Sequence, residues 1–251
     1  MDPLVSIIMP AFNSGAYISC AIKSVLQQTY KNWELIVVDD CSTDNTCLIV
    51  ENLQKNDNRI FLYKQPSNSG AAQARNRALK ESKGRFITYL DADDIWLPQK
   101  LEKQIKFMLD EHHPFTCTSY EVIDDSGHPK CKQVHMLRSV GYKEFLTYNL
   151  LQTVGIAVDT KFVDKSTLIM PNLRRRQDAA TWLQVLKSGV KCYGIHEILA
   201  QYRHTKNSLS SNKLKAVKGV WFLYREVEKL PLFFSYYCFI RYAILAIWKR
   251  I

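Results

Sequence analysis

The chain has 251 residues, of which 47% are hydrophobic, so one well-packed domain with a small extension is expected. Its 34 Lys and Arg outnumber its 24 Asp and Glu, and the net charge of +10 suits a nucleotide diphosphate or a phospholipid surface. No nucleic-acid-binding motif accompanies this charge, so nucleic acid is not expected as a partner. The seven cysteines include no CxxC pair, and residues 4–9 are too short for a signal peptide, so zinc is disfavoured and a cytoplasmic location is expected.

The first half of the chain alternates apolar stretches with helical patterns. Four stretches predict buried strands, at residues 4–9, 34–39, 59–63 and 86–90. Helical spacing follows the first two, with Asn13 or Ser14 expected to cap the first helix. Residues 71–79 predict an alanine-rich helix on which Arg75 and Arg77 cannot both face the core, so one should reach an acid or the strand-end cleft. This alternation predicts an α/β fold with a mainly parallel sheet.

The fourth predicted strand ends in a cluster of carboxylates. Asp91, Asp93 and Asp94 follow it directly, and carboxylates this close repel one another unless a cation lies among them. Oxygen ligands suit Mg²⁺ or Mn²⁺, and open α/β sheets bind ligands at the carboxyl ends of their strands. We therefore expect a metal–diphosphate site at this edge. The alternative is an acidic turn in which Asp94 caps the next helix.

The second half of the chain departs from the alternating pattern. Residues 115–122 predict an antiparallel strand, and a hairpin turn follows at 124–127. Residues 152–158 are weakly strand-like, and two further strands are predicted at 190–195 and 198–202. The later sheet is therefore expected to be mixed.

A helix is predicted over residues 179–189, and Gly189 is the residue expected to end it. Asp178 lies at its start, where the helix dipole favours a carboxylate. On position alone, an aspartate there is structural more often than catalytic.

The composition changes after residue 211. Apolar residues recur at helical spacing over 214–227, and a second apolar, aromatic stretch over 232–248 is closed by Lys249 and Arg250. A membrane-spanning helix needs ~20 apolar residues, whereas this stretch is shorter and contains Arg241. We expect an interfacial helix that holds the protein peripherally at the inner face of the cytoplasmic membrane. The alternative is a tail that packs on the body of the protein or on a second subunit in a homodimer.

Five motifs in this order and spacing resemble the family 2 glycosyltransferases, which are inverting enzymes of the GT-A fold that build bacterial polysaccharides. They are VSIIMPAFN at 5–13, VVDD at 37–40, SGAAQARN at 69–76, DADD at 91–94 and QD at 177–178. The resemblance covers about residues 3–210. It implies a GT-A domain over residues 1–210, with a Rossmann-like, mostly parallel central sheet flanked by helices. Residues 211–251 then form a helical, membrane-associating extension.

The same resemblance implies roles for individual residues. It places a uridine pocket at Pro10, Ala11, Phe12, Asn13 and Asp39, with Asp39 accepting a hydrogen bond from uracil N3–H. It adds Arg75, Asp91 and Ala92 to the nucleotide-sugar site, and it makes Asp91, Asp93 and His204 contacts of Mn²⁺ or Mg²⁺. The general base of the family is the Asp of a Glu–Asp pair, which implies that role for Asp178 although Gln177 replaces the Glu.

The implied reaction moves one sugar from UDP-Glc, UDP-Gal or an N-acetyl derivative to a lipid-diphosphate-linked saccharide. Inversion gives a β-glycosidic bond, as in O-antigen or capsule synthesis. No QxxRW-like motif follows Asp178, so a processive synthase is not expected. A nucleotidyltransferase or a dehydrogenase would need a glycine-rich phosphate loop that the chain lacks. The remaining alternative is a non-catalytic sugar-nucleotide-binding or scaffold protein.

Overall fold

The computed structural model describes residues 2–148, 150–173, 175–205 and 213–248. The expected domain boundary at 210/211 and the basic pair Lys249 and Arg250 lie outside the described residues. The described strands are β1 (Val5–Ala11), β2 (Trp33–Asp39), β3 (Ile60–Lys64), β4 (Phe86–Tyr89), β5 (Ile95–Trp96), β6 (Phe115–Ile123), β7 (Pro129–Val134), β8 (Ser139–Val140), β9 (Ile156–Asp159) and β10 (Cys192–Arg203). The described α-helices are α1 (Ile18–Leu26), α2 (Thr46–Gln54), α3 (Ala71–Glu81), α4 (Lys100–Asp110), α5 (Tyr142–Thr147), α6 (Gln177–Lys187), α7 (Lys213–Phe222) and α8 (Leu232–Trp248).

The strands form one mixed sheet in the order β3-β2-β1-β4-β9-β6-β10-β5, with β7 paired to β6 and β8 paired to β10. Strands β3, β2, β1 and β4 are parallel, as expected from the alternating first half. In this register Ala11 lies opposite Asp39, and Ile8 lies opposite Tyr89. The carboxyl ends of β1, β2 and β4 therefore meet at one edge of the sheet, where the predicted site residues follow.

The second half of the sheet contains antiparallel pairs, as predicted. Strand β6 runs antiparallel to β9 and β7 and parallel to β10. The weakly strand-like stretch begins with a 3₁₀ turn at Thr153–Gly155 before β9 starts. The two strands predicted at 190–202 are one strand, β10, whose pairing with β6 shifts register on both sides of Ile198. Such irregularities bend a strand without ending it, so the sequence pattern breaks there although the strand continues.

Apolar side chains cover both faces of the sheet. On one face α1, α2 and α4 share an apolar cluster with the strands, in which α4 contacts β6 and β10, and on the other face α3 and α6 pack with α5 and the C-terminal helices. The alanines of α3 that face the sheet, Ala72, Ala74 and Ala78, are buried, and their small side chains allow the helix to lie close to the strands. A buried lysine interrupts the first face: Lys100 of α4 is fully buried, and its Nζ donates to Thr88 Oγ1 at 2.8 Å.

The C-terminal helices pack on the second face. Helix α7 continues into a π-helical turn at Leu223–Val227, and α8 follows Pro231. Tyr224 of the π-helical turn and Cys238 of α8 are both buried in this packing. Within residues 213–248 and the rest of the described chain, no helix has the length and apolar character needed to cross a membrane.

Candidate active site

The acid loop, residues 91–94, leaves the carboxyl end of β4 beside β1. The backbone N–H of Leu90 still donates to Ile8 O at 3.0 Å, so the loop begins directly where this pairing ends. Asp91 then accepts a 2.5 Å hydrogen bond and ion pair from Arg75 Nη2. Arg75 comes from α3 and is almost fully buried, so the expectation that an arginine of this helix would reach an acid is confirmed.

Arg75 connects the acid loop to the start of α6. Burial opposes the charge on its guanidinium, but Asp91 and then Asp178 outweigh that effect and raise the pKa of Arg75. Asp178 lies in the first turn of α6, is partly buried, and accepts a long 3.5 Å contact from Thr153 Oγ1. One guanidinium is therefore paired with the carboxylate at the strand end and is also influenced by the charge of Asp178, which the sequence motifs indicate as the base.

The other two acids of the loop differ from Asp91. Burial, and after it the charge of Asp91, raises the pKa of Asp93 to about 6. Asp94 is buried, and its Oδ1 accepts a 2.8 Å hydrogen bond from the backbone N–H of Arg203 in β10. Burial followed by repulsion from Asp93 and Asp91 raises the pKa of Asp94 well above its usual value. The alternative in which Asp94 caps the next helix is wrong, because α4 starts at Lys100 and Asp94 is bound to β10.

The end of β2 provides a buried carboxylate, Asp39, one oxygen of which has few partners among the described residues. Asp39 is 3% exposed, and its Oδ2 accepts a 3.1 Å hydrogen bond from Ser42 N–H. Its Oδ1 is buried and receives no hydrogen bond of ordinary geometry from the described residues. The thiol of Cys47 lies near this carboxylate, and burial, followed by Asp39, raises the pKa of Cys47 to about 11. A buried carboxylate oxygen without a donor is unusual in proteins, and it fits an N–H group supplied by a ligand.

The turn after β1 shapes the same region. Pro10 and Ala11 are buried in β1, whereas Phe12 is 49% exposed. Asn13 has a positive φ of 46°, and its Oδ1 accepts from Thr43 N–H at 2.8 Å. Asn13 therefore ties the turn after β1 to the turn after β2. The predicted cap of α1 is wrong, since that helix begins after Tyr17 with no side-chain cap.

Asp40 also contributes to the site, which the sequence analysis did not predict. It is buried, and its two carboxylate oxygens accept the backbone N–H groups of Ser69 at 2.8 Å and Gly70 at 2.7 Å. These bonds hold the loop before α3, and Gly70 has a φ of 90° there. Asp40 thus positions the helix that carries Arg75. The sequence does contain a hint of this contact, because the second Asp of VVDD and the SG of SGAAQARN are both polar turn residues.

The remaining predicted residues are Ala92 and His204. Ala92 is buried within the acid loop, and His204 follows β10 with an exposed side chain and a backbone N–H that donates to Ile123 O at 2.9 Å. Among the residues that the structure describes, no three His, Cys, Asp or Glu side chains are grouped to hold a metal ion. The metal-contact role of Asp91, Asp93 and His204 therefore stays a prediction. Mg²⁺ commonly uses one or two carboxylates together with substrate phosphates.

Comparison with known proteins decides the family. The model of the family described as Glycosyl transferase family 2 matches residues 6–166, which is more than half of the chain. The chain belongs to this family. Glycosyltransferase activity, rather than a dehydrogenase or nucleotidyltransferase activity, is therefore the activity of this enzyme, as the five motifs predicted.

Relatives of this family 2 glycosyltransferase match it over nearly their full length. The putative teichuronic acid biosynthesis glycosyltransferase TuaG of Bacillus subtilis (strain 168) is 43% identical, over 99% of this chain and 98% of the relative. The UDP-Glc:alpha-D-GlcNAc-diphosphoundecaprenol beta-1,3-glucosyltransferase WfgD of Escherichia coli is 40% identical, over 99% of this chain and 96% of the relative.

Solved structures confirm the expected GT-A type of fold for this family 2 glycosyltransferase. TarS 1–349 of S. aureus in complex with UDP superposes with a TM-score of 0.70 at 20% identity, over 95% of this chain and 70% of that chain. The mannosyltransferase PcManGT of Pyrobaculum calidifontis, in complex with GDP-Man and Mn²⁺, gives a TM-score of 0.70 at 18% identity, over 88% and 63% of the two chains. At these identities the likeness concerns the fold alone.

Proposed function

We propose that this glycosyltransferase moves one hexose from a UDP-sugar, with inversion, to a lipid-diphosphate-linked saccharide, and so forms a β-glycosidic bond in cell-surface polysaccharide synthesis. The observation that carries the proposal is the ion pair of Arg75 with Asp91, together with the charge of Asp178, which also raises the pKa of Arg75. This arrangement brings a carboxylate suited to the donor diphosphate and a carboxylate suited to the acceptor hydroxyl to one sheet edge. The names of TuaG and WfgD support a cell-wall or lipid-linked acceptor, and that of WfgD favours UDP-glucose among UDP-Glc, UDP-Gal and their N-acetyl derivatives.

The free Oδ1 of Asp39 supports uridine as the nucleoside. Uracil N3–H is a donor that would satisfy this buried acceptor, whereas N3 of cytosine is itself an acceptor. Pro10, Ala11 and the exposed ring of Phe12 would form the adjoining wall, and Asn13 would hold that wall in place through Thr43.

The carboxylates of Asp91 and Asp93 fit a divalent cation, either Mn²⁺ or Mg²⁺. Asp93 resists ionisation because it is buried beside Asp91, and an added cation would relieve that repulsion. When bound, the cation supplies positive charge that offsets the charge on the departing UDP. Asp91 and Asp93 would hold it together with the diphosphate, and His204 is the third candidate contact. Arg75 would keep Asp91 oriented.

Asp178 is the proposed general base. It would take the proton from the acceptor hydroxyl as that oxygen attacks the anomeric carbon on the face opposite UDP, and a single displacement inverts the centre. Its only described hydrogen bond is the long one from Thr153, so its oxygens are available to an acceptor. Gln177, in place of the Glu of the family, precedes it at the start of α6.

The C-terminal extension, residues 211–251, is proposed to hold the enzyme peripherally at the inner face of the cytoplasmic membrane. Helix α8 carries an exposed apolar stripe of Phe233, Tyr237, Ile240 and Ile244, and Phe233 is 89% exposed. Arg241 is exposed on the same helix, which suits anionic headgroups. The other occupant of this stripe would be a second subunit in a homodimer, which size measurement in detergent-free buffer distinguishes from vesicle binding.

The function is tested with purified protein, Mn²⁺ and a synthetic GlcNAc-diphosphate-lipid acceptor. UDP-Glc, UDP-Gal, UDP-GlcNAc and UDP-GalNAc are compared for acceptor-dependent release of UDP, and NMR of the product gives its anomeric configuration. We expect one UDP-sugar to be preferred and the product to be β-linked. An α-linked product would contradict Asp178 as the base of a single displacement. CDP-glucose is the control donor, because N3 of cytosine is an acceptor, and a preference for CDP-glucose over UDP-glucose would contradict the role of Asp39.

A further inference from the structure

The last residue of β10 reaches the acid loop from the other half of the sheet. Arg203 is 5% exposed, and its Nε donates to the backbone oxygen of Asp93 at 2.8 Å. The backbone N–H of Arg203 donates to Asp94 Oδ1, also at 2.8 Å. One residue therefore binds two consecutive residues of the loop through two different groups.

The same guanidinium binds a second loop. Its Nη1 donates to the backbone oxygens of Asp124 and Asp125, each at 3.0 Å, in the turn between β6 and β7. The ring of Tyr17 lies 5.2 Å from the guanidinium carbon, and Tyr17 Oη donates to Asp125 Oδ1 at 2.5 Å. Arg203 is thus the junction of the acid loop, the β6–β7 turn and the residue before α1. The planar fork of an arginine suits several acceptors held in fixed directions.

The atoms that Arg203 binds are important for the direction of the acids. These three guanidinium bonds end on backbone oxygens, so they fix the path of the loop and leave the Asp93 carboxylate to other partners. Asp94, in contrast, is held by its side chain. Asp94 therefore anchors the loop through its carboxylate, while Asp93 is held only through its backbone oxygen.

We propose that Arg203 is a positioning residue that holds Asp93 in place for the donor diphosphate and its divalent cation. The inference rests on the proposed function, since it concerns the same cation site. Groups that orient metal-binding side chains typically contribute about 10–100-fold to metal affinity or activity. Loss of the Arg203 guanidinium should therefore weaken cation binding even in a variant that remains folded.

The experiment compares Arg203→Met and Arg203→Lys with Arg85→Met as a matched control. Arg85 also binds a buried acid through two bonds, to Asp159 at 2.9 and 2.6 Å, but it lies at the opposite, amino end of β4. Binding of Mn²⁺ in the presence of UDP is followed by electron paramagnetic resonance, and thermal unfolding is measured in parallel. Arg203→Met should weaken Mn²⁺ binding by about 10–100-fold, and Arg203→Lys, which keeps a cation but not the fork, should weaken it less. Arg85→Met should lose stability and keep its Mn²⁺ affinity.

The outcomes separate this inference from the proposed function. If the wild-type protein binds Mn²⁺ with UDP and a folded Arg203→Met binds it as well, the positioning role is refuted and the cation site stands. If the wild-type protein binds no Mn²⁺ with UDP, both the positioning role and the cation site are refuted. If Arg203→Met does not fold, Arg203→Lys decides, because an Mn²⁺ affinity equal to that of Arg85→Met would refute the role.

Discussion

Replacing Asp178 by Asn should abolish most turnover and leave the protein folded. The only described hydrogen bond to the Asp178 side chain comes from Thr153 at 3.5 Å, beyond the usual range for a hydroxyl donor, so its loss should cost little stability. A general base contributes about 10²–10⁴-fold to rate, which corresponds to about 3–5 kcal/mol in the activation free energy. The expected loss of activity is therefore much larger than any loss of folding free energy.

The assay is steady-state release of UDP with saturating donor and acceptor, together with urea unfolding of the same preparations. The kcat of Asp178→Asn should fall by about 10²–10⁴-fold, with KM for the UDP-sugar little changed, because Asp178 acts on the acceptor. Gln177→Glu restores the Glu–Asp pair of the family and is the control at the adjacent position. An Asp178→Asn enzyme that kept a kcat close to that of the wild-type protein would refute the assignment.

Three further predictions concern stability and location. Burial lowers the pKa of Lys100 well below 10.5, so the unfolded chain binds a proton that the native protein releases, and stability rises with pH between the lowered pKa and 10.5. Lys100→Met should therefore be stabilising at neutral pH, with an advantage over wild type that narrows by about 1.4 kcal/mol per pH unit within that window; urea unfolding from pH 7 to 10 that showed a constant difference would contradict it. Asp40→Ala should lower the free energy of unfolding by about 2–4 kcal/mol, since two loop N–H groups lose a charged acceptor, and faster proteolysis of the loop before α3 would accompany this loss. Replacing Phe233 and Ile240 by Ser should release the enzyme from vesicles containing anionic lipid, with activity on a water-soluble acceptor unchanged; vesicle cosedimentation equal to wild type would rule out the exposed stripe as the membrane contact.

The parallel half of the fold could be predicted because its signals are local. Each strand is a short apolar run that ends in a polar turn, and the helix faces repeat at helical spacing, so the sequence locates β1, β2 and β4 within a few residues. The short strand β5 and the continuity of β10 were not predicted. Both depend on pairing between distant segments, since β5 pairs only with β10 in the described sheet.

In the candidate site too, the features with a local sequence signal could be predicted, and those that depend on distant partners could not. Asp91 and Asp93 stood out because three acids end one apolar strand, and the alanine-rich helix predicted that Arg75 or Arg77 would reach an acid or the cleft, which Arg75 does. The roles of Asp40 and Arg203 were missed, because their partners lie 29 and 110 positions away in sequence. The cap expected from Asn13 failed for this reason as well, since the side chain that should have capped a helix joins two loops instead.

The shared position of Arg75 has a consequence for changing the specificity of this enzyme. Arg75 is paired with Asp91, and the charge of Asp178 also acts on it, so a substitution that moves Asp91 should alter the electrostatic potential at Asp178. If Asp91 and Asp178 have the proposed roles, a change made on the donor side should also affect the acceptor side. Attempts to change the sugar that the enzyme transfers should vary the residues around Asp91 and those around Asp178 in the same library and screen them together.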